Sequence, residues 1–228
     1  MSDAIQTAEA NPRIEALILS SSSPKIFCAG LDLSELHQPD DDRLHKFWHA
    51  FQQLYLDLYG SRLSTFAAMG GHAPAAGCMV ALSCDFRIMS VAEGKIGLNE
   101  SLLGIVAPPW LGQQFMDTIG NRRAELALSL GSLFAPQEAF EIGLVDEVVH
   151  DDVDVVAVAR EHAKSWVRIP AQARVGAKEL TRGRQIRHLI ENRAADTENF
   201  CSFITQDRVQ ATLAMYMERL ASRKTKKQ

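Results

Sequence analysis

Leu63-Ser64-Thr65-Phe66-Ala67-Ala68-Met69-Gly70-Gly71-His72-Ala73-Pro74-Ala75-Ala76-Gly77-Cys78-Met79-Val80-Ala81-Leu82-Ser83 joins two apolar runs through a glycine turn. The first run, Leu63 to Met69, is short enough for a buried strand, and Gly70-Gly71 ends it. The second, Gly77 to Ser83, predicts a short helix that opens on the turn and is apolar on every side. On the N-terminal side, Ala16 to Ser21 predicts another buried strand, broken by Ser22-Ser23-Pro24, and Ser2 to Asn11 a weak helix. Acids at Asp40, Asp41 and Asp42 then open a helix whose apolar residues, from Leu44 through Phe47, Trp48, Phe51, Leu54, Tyr55 and Leu58, recur at 3-and-4 spacing to about Gly60. On the C-terminal side, Phe86 to Met89 and Lys95 to Gly97 predict two more strands. Strand and helix alternating in this way predict an α/β fold with parallel pairing and crossover helices.

From Pro109 onward the texture turns helical: Trp110–Ile119, Arg122–Leu130, Pro136–Glu141, Val153–Val167, Ala171–Gly183 and Asp207–Leu220, with one more strand at Leu144–Val149. The chain divides into an α/β core with the site (1–150) and a C-terminal helical region (151–228), with no Gly/Ser/Pro-rich linker or internal repeat between them. At 228 residues it suits one large domain or a domain with a helical extension. No apolar run approaches the roughly 18 residues of a membrane span. Cys28, Cys78, Cys84 and Cys201 lack metal-type spacing, which points to free thiols in a reduced compartment. The net charge of −4 hides an asymmetry, since residues 181–228 carry ten Lys or Arg against five Asp or Glu. Without aromatics interleaved among those bases, the bias reads as a solvated helix face with a frayed tail, Arg223 to Gln228, and not as a nucleic-acid surface. The first residues carry early acids and no long apolar core, unlike a secretory or transit segment.

Three segments could carry chemistry. Phe27-Cys28-Ala29-Gly30-Leu31-Asp32-Leu33 and Gly71 to Cys78 are rich in small residues that let backbone N–H groups approach a ligand, and the second opens a predicted helix whose N-terminus favours an oxyanion. Ile96-Gly97-Leu98-Asn99-Glu100-Ser101-Leu102-Leu103-Gly104 holds one carboxylate, Glu100, in a glycine-bounded apolar segment. Singly, each has an ordinary reading: a tight strand-to-helix turn, or a solvated first-turn glutamate. Together they describe a base facing two donors, the requirement for removing a proton beside a carbonyl, where each positioned donor is worth roughly 3–4 kcal/mol in the transition state. Leu98, Leu102, Leu103 and Ile105 are expected to desolvate Glu100 and raise its pKa. His72 reads as a packing or hydrogen-bonding residue, Cys78 and Cys84 as small core residues, and Asp32 as a turn cap. Of Trp110, Phe115, Phe134, Phe200 and Phe203, one or two are expected to touch a ligand.

These segments, with Ala29-Gly30-Leu31-Asp32-Leu33, Leu98-Asn99-Glu100 and Leu102-Leu103-Gly104-Ile105-Val106-Ala107-Pro108-Pro109-Trp110-Leu111, resemble the crotonase (enoyl-CoA hydratase/isomerase) superfamily and are most similar to its mitochondrial Δ3,Δ2-enoyl-CoA isomerases. The likeness continues to the helices around Phe200–Ile204 and Met215–Leu220. It implies a ββα spiral core, with the oxyanion N–H groups supplied by Leu31 and by Ala76, a position where the family usually has glycine. It further implies Glu100 as the catalytic base, Asn99 as a substrate contact, and Ala29, Gly30, Asp32 and Leu33 around the substrate. The second carboxylate that hydratases use falls on Met79, whose thioether cannot take a proton from water. The implied activity is therefore conversion of 3-enoyl-CoA to trans-2-enoyl-CoA in β-oxidation of unsaturated fatty acids. A hydratase, an acyl-CoA thioesterase and a non-catalytic acyl-CoA-binding scaffold are the alternatives. No metal or redox cofactor is implied, coenzyme A being part of the substrate. The resemblance also implies a homotrimer or dimer of trimers, with 151–228 as a trimerisation and lid region, and the mitochondrial matrix as the compartment. The family's N-terminal strand hairpin is expected to be missing, leaving an open sheet edge and a weaker hold on the adenine end of coenzyme A.

Overall fold

A computed structural model describes residues 1–91 and 94–225, with 223–225 described by their backbone alone. The elements run α1 (Ser2–Ala10), β1 (Ala16–Leu19), α2 (Asp41–Tyr59), β2 (Ser64–Met69), β3 (Ala73–Pro74), α3 (Ala76–Ser83), β4 (Phe86–Ser90), β5 (Ile96–Gly97), α4 (Pro109–Ile119), α5 (Asn121–Leu130), α6 (Pro136–Glu141), β6 (Glu147–Val149), α7 (Val155–Trp166), α8 (Ala171–Ile204) and α9 (Asp207–Thr225). Strands β1, β2, β4 and β6 form a parallel sheet in that order, with Ala16 opposite Ser64, Phe66 opposite Phe86 and Ile88 opposite Glu147. β1 is an edge. β3 and β5 make a second, two-stranded parallel sheet, and Ile26 bridges His72 beside it.

Every residue of β2 is buried, as expected of a central parallel strand covered on both faces. Its alternation sorts the layers. Phe66 and Ala68 face α7 through Val155, Ala159 and Ala163, while Ala67 and Met69 face the larger core built from α2, α3 and α4. The Asp40 side chain caps α2 by accepting from the Arg43 N–H at 2.9 Å, and Asp41 and Asp42 sit where the helix dipole favours them. α3 is buried throughout, in keeping with its unbroken apolar sequence.

Two expectations need correction. The helix expected over Ala171–Gly183 continues to Ile204, passing through Gly183; the polar run 191–199 separates Leu189 from Cys201 and Ile204, which are buried on the same helix, and so hides its continuity. Arg193, Asp196 and Thr197 meet Gln52 of α2 there. The strand expected from Leu144 begins only at Glu147: the Leu144 and Val145 N–H groups both donate to the Ala139 carbonyl, at 2.8 and 3.1 Å, so they cannot join a ladder. The expected frayed tail from Arg223 lies outside the described residues beyond the backbone that ends α9.

Candidate active site

The small sheet brings the two glycine-rich turns together. The His72 N–H donates to the Lys25 carbonyl at 2.9 Å, and the Phe27 and Cys28 N–H groups donate to the His72 carbonyl at 2.9 and 3.3 Å. Two glycines permit this approach: a Cβ on Gly71 would overlap the Lys25 carbonyl, and one on Gly77 would overlap that of Cys28. Gly30 has φ 103°, and a Cβ there would stand 3.4 Å from the Ala75 Cβ and 3.8 Å from the Ala76 nitrogen. Leu31 thus follows a turn laid directly against the start of α3. Among the described residues, neither the Leu31 nor the Ala76 N–H finds an acceptor within the chain.

The backbone angle that is difficult for alanine belongs to Ala75, at φ 51° and ψ −122°, and not to Ala76, the first helical residue of α3. Such a conformation in a non-glycine residue costs about 1–3 kcal/mol and is held here by its neighbours. The Ala75 N–H donates to the Gly97 carbonyl at 2.8 Å, and its carbonyl accepts from the Met79 N–H at 3.1 Å. Ala76 therefore keeps its N–H despite the added methyl.

Glu100 opens a 3-10 turn, Glu100–Leu103, that Gly104 ends in the left-handed region at φ 72°. The carboxylate is buried, and its Oε2 has no hydrogen-bond partner among the described residues; the same holds for Asn99 Oδ1 beside it. Burial pushes the Glu100 pKa up to about 7. Leu98, Leu103 and Ile105 are buried as expected, but Leu102 points outward at 57% exposure and cannot contribute to that desolvation. In a four-residue 3-10 turn successive side chains fan around the axis, so adjacent leucines cannot all face inward.

Both turns and the Glu100 segment border one cavity of about 1230 Å³, lined by Ala29, Gly30, Leu31, Asp32 and Leu33, by Ala75 and Ala76, and by Asn99 and Glu100. Asp32 also caps the following turn, its Oδ1 accepting from the Ser34 N–H at 3.0 Å and the Ser34 hydroxyl at 2.7 Å; these bonds lower its pKa. Met79 is fully buried in the main core, its sulfur 3.5 Å from the Ser83 hydroxyl, and is not among the cavity's lining residues. Burial raises the pKa values of the Cys78 and Cys84 thiols, consistent with inert core residues. His72 is partly buried and contributes its backbone to the turn.

Of the aromatics singled out from the sequence, Phe200 lines the cavity; Trp110, Phe115, Phe134 and Phe203 do not. Sequence reasoning missed Trp48 and Phe51 of α2 as cavity residues, because aromatics at helical spacing are ordinarily core. It also missed the wall from α9, where Tyr216, Met217, Leu220 and Ala221 close one side. Thr212 seats that helix, since a Cβ on Gly104 would lie 3.1 Å from its methyl.

The family model for enoyl-CoA hydratase/isomerase matches residues 1–226. Mitochondrial enoyl-CoA delta isomerase 1 of Rattus norvegicus is 45% identical over 221 residues, covering 96% of this chain and 76% of the relative. The Mus musculus protein of the same name is 43% identical over the same shares. The crystal structure of human mitochondrial delta3-delta2-enoyl-CoA isomerase superposes with a TM-score of 0.95 at 42% identity, covering 98% of this chain and 86% of that one. The chain belongs to the enoyl-CoA hydratase/isomerase family.

Proposed function

We propose that the protein is a Δ3,Δ2-enoyl-CoA isomerase of unsaturated fatty acid β-oxidation, with Glu100 as its single base and the N–H groups of Leu31 and Ala76 as its oxyanion donors. The observation that carries this reading is the buried, unpartnered Glu100 carboxylate oxygen on the cavity that both free amides also border. Glu100 takes the proton from C2 of the 3-enoyl thioester. The charge moves onto the thioester oxygen, where two preorganised donors in a mostly apolar cavity favour it by roughly 3–4 kcal/mol each. The same carboxyl then returns the proton at C4, leaving the double bond between C2 and C3. One base with a pKa of about 7 is matched to both halves of that exchange at neutral pH.

Hydration would need a second group to activate water, and Met79 stands in the core at the position the resemblance assigns to it. Asn99, Ala29, Gly30, Asp32 and Leu33 are proposed to contact the substrate. No resident cofactor is required, coenzyme A arriving with the acyl group. The names of the rodent relatives support a mitochondrial location, and the matrix is proposed as the compartment. Assembly as a trimer or a pair of trimers is part of the same proposal, with light scattering as its check.

The test is a spectrophotometric assay with a 3-enoyl-CoA. Glu100→Gln should lower kcat by at least about a hundredfold, the lower range for loss of a general base. Equal rates for the variant and wild type would exclude Glu100 as the base.

A further inference from the structure

The proposed function leaves open what limits the acyl chain, and the inner end of the cavity bears on it. Exposure separates mouth from interior: Val106 is 74% and Ile26 43% exposed, whereas Trp48 and Leu111 are each 1% and Phe51 is 7% exposed. At the inner end Trp48 of α2 stacks on Phe200 of α8, with ring centroids 3.4 Å apart and planes within 7°. Phe51 packs on the same indole, its centroid 5.2 Å away. Those three rings are apolar apart from the indole nitrogen.

The nitrogen is fixed. Trp48 Nε1–H donates to Asp196 Oδ2 at 2.8 Å, and the same oxygen accepts from Gln52 Nε2 at 2.7 Å and from Trp110 Nε1–H at 3.3 Å. Asp196 lies one helical turn before Phe200 on α8, so a single helix face supplies both the ring that stacks on Trp48 and the carboxylate that orients it. Charge-assisted bonds to an oxygen this well supplied leave Trp48 one rotamer.

We propose that the Trp48–Phe200 stack is the floor of the acyl cavity and sets the longest unbranched acyl chain it accommodates, with Asp196 as the positioning residue that holds Trp48 in place. This rests on the reading of the cavity as an acyl-CoA site. A tail shorter than the floor's depth gains by each added methylene; a longer one must fold back or displace the indole. Phe200, the more exposed ring of the stack, would meet the tail first with Trp48 behind it, and Asp196 would act only through Trp48.

The test is calorimetric binding of saturated acyl-CoAs of increasing length, from butanoyl to hexadecanoyl, to wild type, Trp48→Ala and Asp196→Asn. Affinity for wild type should climb about fourfold per methylene and then level off. In Trp48→Ala the climb should continue through chain lengths at which wild type is already flat. In Asp196→Asn, whose amide oxygen can still face the three donors but carries no full negative charge, the hold on Trp48 weakens and the break should shift the same way by less. If Trp48→Ala fails to fold, Phe200→Leu must show the shift from the other face of the stack. A break at the same chain length in every folded variant, or no break in wild type, would overturn the floor. Saturated thioesters carry no double bond to move, so the measurement is independent of isomerase turnover. Active isomerase with an unmoved break sinks this proposal alone, whereas absence of acyl-CoA binding sinks the acyl-CoA reading with it.

Discussion

At the scale of single residues the site depends on a carboxylate kept from water and a backbone kept in an awkward turn. With the Glu100 pKa at about 7, kcat/KM for isomerisation should rise about tenfold per pH unit on the acid side and level off above pH 7, because only the ionised form of the proposed base can accept the C2 proton. A pH-rate profile checks this, and an inflection near the ordinary glutamate value would contradict the burial argument. Stability carries the opposite sign. The folded pKa lies above the ordinary value of 4.5, so the contribution of this group is full below that pH and is lost as pH rises through about 7, a change of about 3 kcal/mol. Glu100→Gln, neutral at every pH, should therefore match wild type in urea unfolding at about pH 4.5 and exceed it by about 3 kcal/mol above pH 8. Ala75 offers a second reading of strain. Glycine adopts φ 51° and ψ −122° without a Cβ clash, and Ala75→Gly should raise stability by about 1 kcal/mol once glycine's extra unfolded-state entropy is subtracted.

At the scale of elements, α3 and the 25–31 turn behave as one unit because Gly77 lets the first turn of the helix meet the Cys28 carbonyl. Gly77→Ala must separate them, which moves the Leu31 and Ala76 amides apart. The expected result is a loss of about 2 kcal/mol in stability, within the range for forced overpacking. A much larger fractional loss in kcat than in binding should accompany it, because the proposed oxyanion donors would act on the transition state. Equal losses in kcat and in affinity would show that the turn serves binding alone. The partition of α8 follows from the same kind of pairing. Its first half docks through Arg174, Lys178 and Arg182, while its second half buries Leu189, Cys201 and Ile204 and joins Gln52 through Arg193, Asp196 and Thr197, so neither half carries an unbroken apolar stripe.

At the scale of the whole molecule, α8 is fastened to the sheet through Asp85, which lies just before β4. Its buried carboxylate receives Lys178 at 2.7 Å and Arg182 at 2.9 Å, and it also accepts from the Thr65 N–H at 2.9 Å. Desolvation lowers the Lys178 pKa, and Asp85 offsets part of that. Asp85→Ala would leave two largely buried cations unpaired and should cost about 3–5 kcal/mol, read as a lower midpoint in urea unfolding. Because α8 carries Asp196 and Phe200 to the cavity, acyl-CoA affinity should fall in the same variant at denaturant concentrations where it is still folded. α9 completes the enclosure, and its residues Tyr216, Met217 and Leu220 form a wall because Val209 and Leu213 are buried against Leu103 and Ile105 and Thr212 sits against Gly104.

Local chemistry in the chain was enough to determine the parallel α/β order, the two small-residue turns and the isolated carboxylate. Apolar period, glycine placement and capping acids act over a few residues and leave their mark in any window that contains them. Glu100 and the two turns were legible for that reason, while the choice of Leu31 and Ala76 within those turns came from the family resemblance. Only the tertiary structure decided that Leu102 faces outward, that Ala75 and not Ala76 bears the strained angles, and that Trp48 and Phe51 border a cavity while Trp110 and Phe115 stay in the core. It likewise decided that α8 runs unbroken to Ile204. Each of these depends on which surfaces meet across long stretches of chain: a Trp48–Asp196 bond spans 148 positions, and no local pattern of hydrophobicity encodes a partner at that distance.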